Sequence, residues 1–81
     1  TEKTAENYAA HALCCIFTDD LDFASDDISA GLEQNPMYGE LYLCRALLYK
    51  RRYLNDDAKK DASKAKELGV DASVVDSMLG E

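Results

Sequence analysis

Residues 41–49 read Leu-Tyr-Leu-Cys-Arg-Ala-Leu-Leu-Tyr, and the reading of this stretch decides the fold. Tyr42, Ala46 and Tyr49 stand at i, i+4 and i+7, the spacing of one face of an α-helix. No β-alternation runs through it, and no Asn-Gly or Asp-Gly turn occurs in the chain, so strands find no support. The helix extends from about Met37 to Arg52, with Tyr38, Leu41, Tyr42, Ala46 and Tyr49 inward. Lys50-Arg51-Arg52 closes it, where cations offset the helix dipole. On its N-terminal side Asn35-Pro36 stops whatever helix precedes it.

Further helices flank this one. Thr4 caps a first segment running to about Phe17, with Tyr8, Ala12 and Cys15 on one stripe. Asp19 and Asp20 supply the cap and first-turn acids of a second, reaching Glu33 with Leu21, Ala24, Ile28 and Leu32 inward. Asn55 caps a fourth, striped by Ala58, Ala62, Ala65 and Leu68, and Gly69 stands where a C′ glycine belongs. Asp71 caps a short fifth carrying Val74, Val75, Met78 and Leu79. The expected fold class is all-α, about five helices in antiparallel hairpins. At 81 residues the chain holds one small domain.

The hairpins repeat. Shifting the sequence by 34 residues aligns Glu6 with Glu40, Tyr8 with Tyr42, Ala12 with Ala46 and Leu13 with Leu47. The same shift aligns Asp22, Ala24, Asp27, Ser29 and Glu33 with Asp56, Ala58, Asp61, Ser63 and Glu67. Several of these identities are small or aromatic residues, the kind needed where helices touch.

This spacing resembles the tetratricopeptide repeat, a helix–turn–helix unit of about 34 residues. In that family helix A carries a large residue, a small one four later and an aromatic three after that. Tyr42, Ala46 and Tyr49 match; Tyr8 and Ala12 match in the first repeat, where Cys15 replaces the aromatic. Helix B is matched by Ala24, Ile28, Gly31 and Pro36, and then by Ala58, Ala62 and Ala65, with Val70 in place of the proline. The resemblance implies antiparallel hairpins stacked as a short right-handed α-solenoid. The expected organisation is repeat 1 over about 5–38, repeat 2 over about 39–72, and a cap or partial third repeat over 73–81. The start at Thr1 and the end at Leu79-Gly80-Glu81 fit a piece of a longer array.

The resemblance also implies a function: capture of a peptide or helix of another protein in the concave groove lined by the A helices. The groove positions it assigns are Ala9, Ala10, Leu13 and Phe17, with Glu6 beside them, and Leu43, Cys44, Leu47 and Arg51, with Glu40. Val74 and Met78 extend the row. Its centre is apolar, acids mark one end and Lys50-Arg51 the other, so an apolar or basic segment is the expected partner. Against this stands the plainer reading that Leu13, Phe17 and Leu47 are packed as core. An alternative function is a structural segment of a longer solenoid, or self-association. A chaperone-tail clamp ranks third, because Ala9, Leu13 and Cys44 stand where its lysine and asparagines belong.

Charge and cysteines exclude other classes. Sixteen acids against nine bases give −7. Residues 1–36 hold one base and eight acids, 1 − 8 = −7, and residues 37–81 hold eight of each. This disfavours nucleic acid and anionic membrane surfaces. No apolar run reaches the roughly 18 residues of a membrane span, so no membrane insertion is expected. Cys14, Cys15 and Cys44 are odd in number, which points to a reducing, cytoplasmic setting and to buried small side chains. His11 and Cys15 share a helix face, both expected toward the hairpin interior. Cys14 and Cys15 diverge by about 100°, and no further ligand pattern accompanies them, so no metal is expected. Asp19 to Asp27 lacks the glycine and glutamate of a calcium loop. These acids read as a solvated outer face of helix B that pairs with Arg51 and Arg52. No phosphate loop or nucleophile–base pair is legible, so neither a cofactor nor an enzyme is expected.

Overall fold

Thr4 starts the first helix by accepting the Asn7 N–H on its hydroxyl oxygen at 3.2 Å, one of the donors a helix N-terminus otherwise leaves unpaired. The computed structural model describes residues 4–80. It contains five helices: α1 (Ala5–Phe17), α2 (Leu21–Gln34), α3 (Gly39–Arg51), α4 (Asn55–Glu67) and α5 (Ala72–Leu79). Among the described residues there is no strand, and no helix is long and apolar enough to cross a membrane.

Three boundaries differ from expectation. Asp19 does not cap α2; it takes φ 65° in the turn, and Asp20 holds the cap position without a side-chain capping bond. The Asp20 carboxylate instead accepts from the Thr18 hydroxyl at 3.1 Å. Asn55 is the first residue of α4, and Leu54 holds the cap. α3 begins at Gly39, not Met37, because Asn35 folds the preceding residues into a turn. Its side-chain oxygen accepts the Met37 N–H at 3.0 Å and its carbonyl the Tyr38 N–H at 3.2 Å.

α1 packs on α2 and α3 on α4; α3 also meets both α1 and α2, and α5 lies on α3 and α4. Ile16, Ile28, Leu41, Leu48 and Val75 are the largest fully buried side chains, interleaved with Ala12, Ala24, Ala46 and Ala65. The alanines bring helix axes close and the branched chains fill between them. Gly31 marks a close approach of α2 to α1 and α3: a Cβ there would stand 2.8 Å from Leu41 Cδ1 and 3.0 Å from Tyr8 Cβ. The radius of gyration is 11.3 Å, against about 12 Å for a compact chain of this length.

The helix bounds of the two hairpins correspond at the 34-residue offset, the ends of α2 and α4 differing by one residue. α1 and α3 start at 5 and 39 and end at 17 and 51; α2 and α4 start at 21 and 55. In each turn the second residue is left-handed, Asp19 at φ 65° and Tyr53 at φ 62°. The Asp20 N–H donates to the Cys15 carbonyl at 2.7 Å, and the Leu54 N–H to that of Tyr49 at 2.8 Å. Thr-Asp-Asp and Arg-Tyr-Leu share no chemistry, so the packing of the helices sets this turn and not its side chains. The exits differ: after α2 Asn35 is extended, whereas after α4 Gly69 turns left-handed at φ 100°. Asp71 then caps α5, accepting the Ser73 N–H at 2.8 Å.

Candidate functional site

Helices α1, α3 and α5 contribute to two pockets that share Met78. The larger, about 530 Å³, is lined by Ala9, Ala10 and Leu13 of α1, Leu43 and Cys44 of α3, and Val74 and Met78 of α5. Glu6, Glu40 and Asp71 bring acid to it, and no base stands among its described lining residues. The smaller, about 300 Å³, is lined by Phe17, Leu47, Lys50 and Arg51, together with the end of α5. Met78 lines both. The residues expected in one continuous row thus fall into two neighbouring pockets.

Exposure sorts them further. Ala10 and Arg51 are exposed, Leu13 and Met78 half-buried, and Phe17 is 62% exposed. Ala9, Leu43, Cys44 and Leu47 are all below 9%. Leu47 follows the plainer expectation of core packing while its edge lines the smaller pocket. α3 is covered by helices on several sides, so Leu47 is core, while its counterpart Leu13 on α1 is not. Cys44 lies in the pocket floor, its thiol donating to the Ala9 carbonyl at 3.5 Å. Burial first, then Glu40, pushes that thiol up to about 11. Burial, then Glu40 and Glu6, likewise raises the Tyr38 phenol at the acidic end.

A second cluster joins α1 to α2. The His11 imidazole Nδ1 meets Asp27 Oδ2 directly. Cys15 Sγ lies 3.8 Å from that nitrogen and 4.0 Å from that oxygen. Burial, followed by Asp27, raises the Cys15 thiol. Two expectations are corrected here. The His11 side chain is 65% exposed and does not face the interior. Asp27 is not on the solvated outer face: its side chain is 18% exposed and turned to α1. The signal for Asp27 was present in its spacing, since Ala24, Asp27, Ile28 and Gly31 stand at i, i+3, i+4 and i+7. Cys14 is exposed, unlike Cys15 and Cys44, which corrects its reading as a buried small side chain.

At the equivalent place in the second hairpin, Arg45 grips Asp61 with Nε at 2.8 Å and Nη2 at 3.0 Å. Its guanidinium lies 5.3 Å from the Tyr42 ring centre and 6.0 Å from that of Tyr49. The remaining acids behave as expected of the outer face: Asp22 pairs with Arg52 at 3.0 Å and Asp19 with Arg51 at 3.7 Å. Such exposed pairs contribute little to stability. Among the described residues every buried side-chain nitrogen and oxygen has a partner. No family model, curated protein or solved structure matches the chain.

Proposed function

We propose that the chain is a protein-interaction module of tetratricopeptide type, two repeats of a short right-handed α-solenoid closed by α5. It acts as a scaffold in the cytoplasm and not as an enzyme. In this reading its groove holds an amphipathic helix or peptide of another protein, apolar side chains on the floor and a basic residue toward the acidic end. The larger pocket carries the proposal: an apolar floor rimmed by Glu6, Glu40 and Asp71. An acidic rim favours basic partners by complementarity and repels acidic ones. The repeat geometry at the 34-residue offset supports the family reading.

Leu13→Glu is the clean test, because Leu13 is only half-buried whereas a charge at Leu47 would disrupt the core. Fluorescence anisotropy with a labelled amphipathic Leu/Lys helical peptide is expected to show saturable binding. Leu13→Glu weakens it at least tenfold with unchanged circular dichroism, and a Leu/Glu peptide of equal length does not bind. Equal binding of the two peptides sinks the proposal.

A second reading, self-association, is favoured by the edge formed at the two hairpin turns. Phe17 and Phe23 flank one turn and Tyr53 and Leu54 occupy the other, all at 44% exposure or more. The Asp19–Arg51 and Asp22–Arg52 pairs hold these turns side by side. A sedimentation coefficient that rises with concentration in the wild type, and not in Phe23→Ser, is its signature.

A further inference from the structure

His11, Cys15 and Asp27 each offer one metal-ligating atom, and the three atoms lie within 4.8 Å of one another. From this convergence we infer a binding site for a zinc-class divalent cation, held by His11 Nδ1, Cys15 Sγ and an Asp27 carboxylate oxygen, with water in the fourth position.

The donor set suits the ion. Nitrogen, sulfur and oxygen in one site are what zinc takes, and three protein ligands with one open position is an established coordination pattern. Tetrahedral coordination at ordinary zinc bond lengths sets ligand atoms about 3.4–3.6 Å apart. Cys15 Sγ is already near that spacing, at 3.8 Å from the nitrogen and 4.0 Å from the oxygen. Only the His11–Asp27 contact must open. The exposed His11 can move, while Cys15 is fixed in the core at 7% exposure.

The arrangement also argues against nucleophilic catalysis. A Cys-His-Asp relay places the imidazole between its partners, the thiol at one ring nitrogen and the carboxylate at the other. Here both converge on Nδ1. A single nitrogen cannot accept the thiol proton while donating to the carboxylate, but a cation placed at that convergence point meets all three atoms.

The second hairpin supplies the reference. At the same register stand Arg45, Tyr49 and Asp61, offsets of 34 from 11, 15 and 27. There a permanent cation meets the aspartate and an aromatic ring flanks it. In the first hairpin the aspartate is kept, the fixed charge has become a ligand nitrogen, and the ring has become a thiol. One exchange puts a ligand nitrogen where the second hairpin has its guanidinium, and the other a ligand sulfur where it has the flanking ring. The ion would restore the positive charge opposite the aspartate and fasten α1 to α2.

Cobalt(II) serves as a coloured substitute for zinc. Titrating the reduced full chain with cobalt(II) is expected to give a one-to-one endpoint with thiolate-to-metal charge-transfer absorption in the near ultraviolet, bleached by added zinc. His11→Ala, exposed and so safe for folding, lowers affinity at least about tenfold, as Asp27→Asn also does. Cys15→Ser abolishes the charge-transfer band, whereas Cys14→Ser and Cys44→Ser keep it. Free zinc a hundredfold above the wild-type Kd raises the melting temperature of the wild type by roughly 10–20 °C and that of His11→Ala by about half as much or less. Absence of the band, its persistence in Cys15→Ser, its loss in Cys14→Ser, or equal affinity in His11→Ala each overturns the site.

Discussion

In the hairpin of α1 and α2, position 11 is histidine and it meets Asp27; in that of α3 and α4, the residue 34 later is Arg45 and it meets Asp61. The helix starts and the left-handed turn positions match at the 34-residue offset. The surroundings do not. Arg45 is two-thirds buried, doubly hydrogen-bonded and flanked by two tyrosines, whereas His11 projects from α1 with 65% of its side chain in solvent. The cause is position in the stack. α3 meets α1, α2, α4 and α5, while among the described residues α1 is packed by α2 and α3. Residues 34 apart on α1 and α3 therefore do different work. Leu47 and Cys44 are core, while Leu13 and Ala10 stay open at the pocket.

The largest expected effect breaks the two cross-hairpin pairs in turn. Asp61→Ala strips a partly buried guanidinium of both its hydrogen bonds, at a cost of about 2 kcal/mol. Asp27→Ala, measured with chelator present, costs less than about 1 kcal/mol, since the exposed imidazole finds water instead. Thermal unfolding of the two variants checks this: the Asp61→Ala midpoint falls by roughly 10 °C and that of Asp27→Ala by a few degrees. Equal losses would mean that the two hairpins are equivalent after all.

The next effect sharpens the contrast between α1 and α3 through pH. Cys44 is buried where its counterpart Ala10 is open. Burial raises its thiol from the ordinary 9.0 to about 11, so the unfolded chain sheds this proton first. Stability is then unaffected below pH 9 and declines as pH rises from 9 to about 11, by about 2 kcal/mol in all. Urea unfolding across that range, compared with Cys44→Ala, isolates the contribution: the variant starts less stable from the lost packing but has a shallower decline. Parallel curves would show that Cys44 is not the group responsible.

How far the sequence alone reaches is visible in the same pairs. Helix positions and the repeat offset were legible, because periodic apolar stripes and identical alanines are local patterns. The asymmetry between α1 and α3 was not, since Leu13 and Leu47 are the same residue at the same register and differ only in what lies on the far side. Asp27 sits inside an acidic run that masks it, though its spacing from Ala24 and Gly31 places it at the helix interface. The left-handed turn had only a weak signal in Thr-Asp-Asp, where aspartate tolerates that conformation, and none in Arg-Tyr-Leu, which holds no glycine, asparagine or aspartate.

That turn supplies the smallest effect. Both hairpins hold a non-glycine residue at positive φ, Asp19 at 65° and Tyr53 at 62°. A Cβ in this region crowds the following carbonyl, at a cost of about 1–2 kcal/mol for an ordinary residue, and aspartate tolerates it better than most. Glycine removes the crowding but adds freedom to the unfolded chain, which cancels part of the gain. Tyr53 is 88% exposed, so its ring contributes little packing to be lost. Tyr53→Gly is therefore expected to stabilise the chain by about 0.5–1 kcal/mol. Asp19→Gly gains less than half of that, because aspartate starts with less strain and gives up its pairing with Arg51. Denaturant midpoints of the two variants resolve the difference. A gain at Asp19 equal to that at Tyr53 would mean that side-chain identity does not matter in this turn.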